Sequence, residues 1–523
     1  MVITVLSLAA YQYSALMDAE VMASERIRKT TEAKALADSG VSFAMAHVAD
    51  PDAFEGVLNS NPFDNAGSFQ AVMVSEGQSA RSLGRFSVVS LDFGNEGALG
   101  SVPLRYGMSD EAAKLNINAL FALDKSGKVL HDALMKLPNM NEDIAWSIVD
   151  WIDPDEEPNP GGAETEYYGA RQPTYQSKSA PLDTLEELLL VKGVTPSLLF
   201  GTDRNRNGKL DPGEDDGMGF SAGWAAYLTV YSRDPNVDAE GLPRVNLNGN
   251  DLTKLQSDLI ATVGPDVATY ILGYRLFGRA SGSGTTANIQ AKGGGLQFTV
   301  SVQVIRAGTM AELQQRVQKA IDEKQQPRQR VSSLFSLLSQ TVQITEQIQV
   351  AGGGGMQGGT MQSVTIQFPS PLADKSTQID LLGKLLDKTT TQQGTELPGK
   401  VNVNTAPREV LLALPGMTES AIDVIMAKRP QYANGETPDP KFATIAWLLG
   451  DGTLTAQTLQ GLERYLTART QVYRVQSIGY FEEGGPMARV EAVIDANQGK
   501  PRIVYYRDLT DLGRSIDPRN LNR

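Results

Sequence analysis

Residues 1–17, MVITVLSLAAYQYSALM, carry no charge, and the first charged side chain is Asp18. From there to about Val48 the pattern stays helical, with neither proline nor glycine before Gly40. Ala33, Leu36, Ala37, Val41 and Ala44 recur at i, i+3, i+4 spacing and form one apolar stripe. Glu20, Glu25, Arg26, Arg28, Lys29 and Lys34 fall mostly off it. The spacing predicts one long helix, apolar all round at first and amphipathic later. A membrane stalk running into a globular head has this profile; the alternative is a buried N-terminal helix. The apolar run is slightly short for a full span and no basic segment precedes it. It therefore reads as the lower part of a membrane helix whose upstream portion lies outside this chain.

The period then changes from helical to alternating. SFQAVMV near residue 70, RFSVVSLDF from 85 and VPLRYGM from 102 read as strands separated by turn residues. The C-terminus supplies QVYRVQSIGYF from 471, ARVEAVID from 488 and PRIVYYRDL from 501. Strands at both ends with helices between predict an α+β fold, in which distant segments complete one sheet and the middle is a large, mostly helical insertion.

Within that middle a motif recurs. KLNIN at 114, RVNLN at 244 and KVNVN at 400 each place a basic residue before alternating apolar residues and asparagines, and each precedes two helical patterns with a short break. In the third copy, NTAPREVLLALPGMTESAIDVIMAKR, Thr405 is expected to cap the first helix with Pro407 in its first turn. Leu411, Leu412 and Leu414 form its apolar end, Pro415-Gly416 makes the turn, and Ala421, Ile422, Ile425 and Met426 line the return helix. LMKLPNMNEDIAWSIVDWID and TVGPDVATYILGYRLFG give the other two hairpins. Glycine-rich runs near 283, at 293–295 and at 351–359 read as flexible loops around a strand, LQFTVSVQVI, and a polar helix over about 309–323.

Composition narrows the chemistry. The net charge of −14 argues against a nucleic-acid scaffold, which needs a basic face. There is no cysteine and there are two histidines, His47 and His131, so zinc sites built on Cys and His are disfavoured and neither histidine lies in a nucleophile motif. Carboxylates and amides remain, which favours a hard cation such as Ca2+.

Two acidic segments fit such an ion. DRNRNGKLDPGE, from 203, matches a calcium loop. Asp203, Asn205 and Asn207 would offer side-chain oxygens, Lys209 its carbonyl, Asp211 a direct or water-mediated contact, and Glu214 the closing bidentate carboxylate. Gly208 permits the turn. The Pro212-Gly213 pair and the DDGMGF that follows give no immediate exit helix, so a structural clip fits better than a switch. A solvated acidic turn is the alternative. The second segment crowds Asp150, Asp153, Asp155, Glu156, Glu157, Glu164 and Glu166 among prolines and glycines. It is either a solvated loop or one neutralised by a cation. Paired carboxylates there also fit a calcium-dependent secreted hydrolase of glycosidic bonds, although no aromatic sugar cleft accompanies them. LPGM between two helices is similar to a DNA-binding helix-hairpin-helix, whose turn amides face phosphate; the acidic net charge favours hairpins that only pack.

TEAKALADSGVSFA at the stalk end, KLNINAL at 114, DWIDPD…GAETEYY…PTYQSKSAPLDTLEELLLVKG over 150–193 and KVNVNTAPREVLLALPG at 400 together resemble the general secretion pathway protein K family, the large minor pseudopilin of type II secretion. The resemblance implies a pilin-like head interrupted by a helical domain that binds calcium, with ligands among Asp153, Asp155 and Glu164. It also implies a short basic leader ending in glycine, where this sequence opens on the apolar run. The chain then divides into a membrane or filament helix (1–48), the first part of the sheet (49–110), a helical insertion with the acidic and calcium loops (111–280), and an extra insertion (281–399). A helix-hairpin-helix-like segment (400–470) and the C-terminal strands (471–523) complete it. The implied role is structural rather than enzymatic: a cap on the tip of a periplasmic pseudopilus, anchored in the bacterial inner membrane. It would meet other minor pseudopilins through the N-terminal helix, and the secretion channel or secreted substrate at the tip. A compact head of about 480 residues has a radius of gyration near 23 Å, a bulk that would obstruct a subunit stacked above it.

Overall fold

The computed structural model describes residues 2–75, 83–93, 102–214, 220–278, 288–292, 295–299, 304–350, 360–433, 435–450, 452–497, 499–513, 516 and 521. The opening helix runs Val2–Ala49. Its large apolar side chains from Val2 to Ile27 are exposed, and burial begins at Ala33, continuing through Leu36, Ala37, Gly40, Val41 and Ala44. No helix among the described residues is long and apolar enough to cross a membrane.

The buried stripe lies on a seven-stranded sheet. Its main order is Val72–Ser75, Gly84–Leu91, Val472–Phe481, Ala488–Asp495, Arg502–Asp508. Leu104–Tyr106 adds to Gly84–Leu91, and Ser109–Asp110 adds to Val472–Phe481. Every pairing is antiparallel. Ser477 sits opposite Val88 on one side and Val490 on the other, so the α+β fold expected from alternation at both ends is borne out. Phe86, Val88, Val475, Phe481, Val490, Ala492 and Ile494 form the core with the helix stripe. Each such side chain contributes about 1.5–3 kcal/mol on full burial.

Small residues set the distance between helix and sheet. A Cβ on Gly479 would overlap the Ala33 carbonyl oxygen and the Ala37 amide nitrogen, and one on Gly40 would overlap Ser477 Oγ. Gly479→Ala pits a methyl group against helix backbone that cannot rotate away. We expect it to destabilise the head by about 1–3 kcal/mol or more, as overpacking does, read as a lower urea midpoint. Gly56→Ala, where a Cβ meets open space, is the matched control.

The chain forms two compact units. The first comprises residues 1–235, 398–443 and 465–523, and the second 236–397 and 444–464. The first contains two copies of the asparagine motif and the second contains one. In every copy a two-residue strand pairs in parallel with a later segment: Leu115–Asn116 with Leu228–Thr229, Val245–Asn246 with Thr389–Thr390, and Val401–Asn402 with Leu466–Thr467. The first asparagine turns the chain. Asn116 Oδ1 accepts from Ala119 N, Asn246 Oδ1 from Asn248 N, and Asn402 Oδ1 from Asn404 N. The second asparagine binds distant backbone. Asn118 exchanges two bonds with Leu182, Asn248 does so with Val331 and also donates to Thr391 O, and Asn404 donates to Phe442 O and Ala468 O. An amide is suited to this because it donates and accepts at once.

Helix pairs follow each motif: Lys128–Leu134 with Glu142–Ile152, Leu252–Val263 with Pro265–Phe277, and Arg408–Leu412 with Glu419–Lys428. The cap expected at Thr405 is displaced. Helix Arg408–Leu412 starts after Pro407, which stands at its N-cap, and Thr405 Oγ1 instead donates to Asp110 Oδ2 (2.5 Å). In the second unit the expected polar helix is Met310–Asp322, with a capping box between Thr309 and Glu312. Strand Val304–Ala307 pairs in parallel with Thr360–Pro369, which pairs antiparallel with Thr341–Val350. Of the expected strand LQFTVSVQVI, residues 296–299 lie in strand Gly295–Thr299, which pairs with Asn288–Lys292, and residues 304–305 open strand Val304–Ala307. The glycine-rich runs near 283 and at 351–359, and residues 215–219 after the calcium loop, lie outside the described residues.

Candidate metal centre

Helix Glu142–Ile152 builds one wall of the centre. Asn141 caps it by accepting from Ile144 N (3.0 Å), Glu142 and Asp143 follow in its first turn, and Ile144, Ala145, Ile148, Val149 and Ile152 bury its apolar face. Its other end carries carboxylates: Asp150 in the last turn and Asp153 at the C-cap. Negative charge at a helix C-terminus opposes the helix dipole, so this placement is unfavourable unless a cation compensates it.

The chain then returns beneath that end. Asp150 accepts from Asn159 Nδ2 (2.7 Å) and Ala163 N (2.7 Å), which folds the turn back on itself. A Cβ on Gly162 would overlap Asp150 Oδ2, so a side chain there would displace the carboxylate. Glu164 follows at the start of helix Thr165–Gly169 without capping it through its side chain. Ligand atoms of Asp150, Asp153 and Glu164 all lie within 4.8 Å of one another. The three residues are 0%, 7% and 4% exposed. Asp153 Oδ1 and both Glu164 carboxylate oxygens are buried without a hydrogen-bond partner. Burial pushes the Asp153 carboxyl up to about 7, with the charges of Asp155 and Asp150 adding to it. Burial likewise pushes Glu164 up to about 8, with the charges of Asp153, Asp150 and Glu156 adding to it.

Three crowded carboxylates with orphaned oxygens fit a hard divalent cation. The donor set is oxygen alone, which selects calcium- or magnesium-type ions over zinc or copper. Of the residues named from sequence, Asp153 and Glu164 converge. Asp155 does not join the trio; it is exposed and accepts from Glu157 N, and its negative charge adds to the burial that raises Asp153. Asp150, the third member, stands out in the sequence only as part of the acidic run. Its signal is the i, i+3 spacing to Asp153 across a helix end.

The 203–214 loop closes on itself. Asp203, 4% exposed, accepts from Asn207 N (3.1 Å) and Gly208 N (2.6 Å). Asn205 Nδ2 and Asn207 Nδ2 both donate to Asp211 Oδ2. Glu214 accepts from Asn205 N (3.1 Å) and Asp211 N (3.2 Å), while Lys209 N donates to Asn207 Oδ1 (2.8 Å). Gly208 has φ +79°. Asn205 Oδ1 is buried without a partner. The loop is wrapped as an ion-binding loop is, with its own amides on the carboxylates. Asp203, Asp211 and Glu214 do not form a trio as close as Asp150, Asp153 and Glu164. Buried Arg489 on strand Ala488–Asp495 donates to Asn205 O (2.6 Å) and Arg206 O (3.2 Å), fixing the loop to the sheet.

Residues 113–200 match the family model described as Type II secretion system, protein K, and this bears out the resemblance carried by KLNINAL and the 150–193 block. The matched stretch contains Asp150, Asp153 and Glu164. A chain from the crystal structure of the GspK-GspI-GspJ complex of the enterotoxigenic Escherichia coli type 2 secretion system is similar at 11% identity and a TM-score of 0.38, covering 93% of this chain and 98% of that one. No curated protein matches.

Proposed function

We propose that this chain, which carries a type II secretion system protein K domain over residues 113–200, is a minor pseudopilin whose inserted domain is held rigid by calcium and which caps the tip of a periplasmic pseudopilus. The observation that carries the reading is the burial of Asp150, Asp153 and Glu164 in one trio inside the matched segment. A structural ion neutralises them and fixes the return of the chain under helix Glu142–Ile152. The Asp203 loop supplies a second site that ties the insertion to the sheet through Arg489.

The exposed apolar side chains of the opening helix, from Val2 to Ile27, are the surface for neighbouring pseudopilin helices and for the inner membrane. The sheet and insertion form the periplasmic head, which meets the secretion channel or a secreted substrate. The role is one of assembly and transport, without catalysis.

Membrane fractionation of cells assembling the secretion system tests this. The full chain should co-purify with other minor pseudopilins from the inner-membrane fraction. Ile27→Asp on the exposed helix should lower that recovery at least tenfold while leaving the calcium response of the head intact. Recovery of the unaltered chain from the soluble fraction, free of pseudopilins, would falsify the assignment.

A further inference from the structure

The VKG that closes the 150–193 block lies outside the Asp150 trio, yet its lysine reaches the segment carrying Glu164 from both sides. Lys192 Nζ donates to Gly161 O (2.9 Å) and Gly162 O (3.2 Å), ahead of Glu164 in the chain. The same ammonium stands 5.3 Å from the centroid of the Tyr167 ring, beyond Glu164, where the ring quadrupole attracts it. The Lys192 amide donates to Tyr168 Oη (3.3 Å). Tyr168 is fully buried and meets Trp151 of helix Glu142–Ile152 edge to face, with ring centroids 5.0 Å apart. One residue thus brackets Glu164 along the chain.

Lys192 is itself held by its neighbours. Val191 is 3% exposed. Gly193 has φ +82°, and a Cβ there would lie 2.8 Å from Ile144 Cγ1, so the backbone runs close against helix Glu142–Ile152. That helix carries Asp150 in its last turn and Asp153 at its C-cap. Residues 191–193 therefore join the wall that supplies two carboxylates to the return segment that supplies the third.

The return needs a partner on its outer side. Ala163 N donates to Asp150 Oδ2, and in a trans peptide the preceding carbonyl points the opposite way. The Gly162 carbonyl therefore faces away from the carboxylate, and the Lys192 ammonium donates to it there. Asp150 holds the turn from within, and Lys192 holds it from without.

We propose that Lys192 is a positioning residue of the calcium centre: its grip on the Gly161 and Gly162 carbonyls and on the Tyr167 ring brings Glu164 to Asp150 and Asp153. This rests on the trio holding calcium, and it adds a residue that supplies no oxygen to the ion. Placement and charge predict opposite results. An ammonium acting only through its charge repels a divalent cation, so its removal tightens binding. An ammonium that places Glu164 strengthens binding, so its removal weakens it. Outer residues that orient metal ligands typically change affinity 10–100-fold.

Calorimetric titration of the full chain with calcium at pH 8 tests this, reading the binding step that Asp153→Asn abolishes. Lys192→Met should raise the dissociation constant roughly 10–100-fold. Lys192→Arg, whose guanidinium can still donate to both carbonyls and stack on Tyr167, should stay closer to the parent. Unchanged or tighter binding by Lys192→Met overturns the proposal. Unfolding midpoints separate placement from general damage: the fall in Lys192→Met should be larger in excess calcium than in EDTA, and equal falls mark a merely structural residue and overturn it. Should Lys192→Met fail to fold, Lys192→Gln, which keeps an N–H donor and loses the charge, carries the same test: a higher constant supports the proposal and an equal or lower one overturns it. An unaltered chain that binds no calcium removes the centre and this proposal together, whereas one that binds calcium no more tightly than Lys192→Met removes the proposal alone.

Discussion

Calcium added to the EDTA-treated chain at pH 8 should raise the unfolding midpoint of the head, by an amount equivalent to about 2.7 kcal/mol at one hundred times the dissociation constant. The fall in stability with pH that EDTA reveals should then be suppressed by calcium. Asp153 and Glu164 have pKa values of about 7 and 8 in the folded, metal-free chain, well above those of unfolded carboxyls. An acid whose folded value is raised binds its proton more tightly when folded. In EDTA these two groups therefore cost stability progressively as pH rises from about 4, and the loss levels off above about 8. Excess calcium binds the deprotonated form, so the stability it adds should grow over that same window, with protons released on binding, and the fall seen in EDTA should flatten.

Asp153→Asn and Glu164→Gln should remove both effects. In EDTA at pH 8 each variant should be at least as stable as the unaltered chain, because a buried charge is gone, yet neither should gain from calcium at this site. Asp203→Ala separates the second loop: it should lower the number of ions bound while keeping the pH-dependent calcium response of the centre. Differential scanning calorimetry at pH 5 and pH 8, with and without EDTA, reads all of these. A midpoint at pH 8 that ignores calcium and EDTA in the unaltered chain rules the centre out.

Arg474→Met should lower the stability of the first unit by about 3–5 kcal/mol, the cost of stranding a buried charge. Arg474 donates to both oxygens of Glu111, from Nε (3.0 Å) and Nη2 (2.7 Å), and from Nη1 to Glu491 (2.9 Å). Glu111 is 0% exposed and also accepts from Thr229 Oγ1 (2.6 Å). Burial alone would raise the Glu111 carboxyl, but Arg474 and Lys114 outweigh it and hold it near 2. The stability this group contributes is thus present above the unfolded carboxyl range and is lost as pH falls toward about 2. Without the guanidinium the order inverts, and Arg474→Met should be least stable near neutral pH and recover on acidification to pH 4. Adding Glu111→Gln should restore part of the loss. Urea unfolding at both pH values checks this, and a single variant as stable at pH 7.5 as its parent sinks it.

Periodicity carried most of the sheet. The alternation in RFSVVSLDF and QVYRVQSIGYF marks residues such as Val88 and Val475 that face the opening helix, and the helix stripe from Ala33 to Ala44 is the one that packs. Charge density marked the acidic run, and the resemblance to the protein K family singled out Asp153, Asp155 and Glu164 within it. What neither could carry was the convergence of Asp153 and Glu164, because that depends on Gly162 letting the chain turn back against Asp150. Asp155 is as acidic as its neighbours and stands outside the trio for the same reason: position after the helix end, not residue type, decides membership. Thr405 followed the local rule for a cap, yet Asp110, far away in sequence, took its hydroxyl. The Glu111–Arg474 pair joins segments hundreds of residues apart and leaves no local pattern to read.

The position of strand Val472–Phe481 governs how the molecule comes into being. It is the bridge between Gly84–Leu91 and Ala488–Asp495, so the early strands have no central neighbour until residues 472–481 have been delivered. Pairing across so long a loop is slow and leaves open edges meanwhile. A chain emerging from its N-terminus must therefore keep those edges from sticking to other molecules until residues 472–481 arrive, and any truncation before residue 472 leaves them permanently bare.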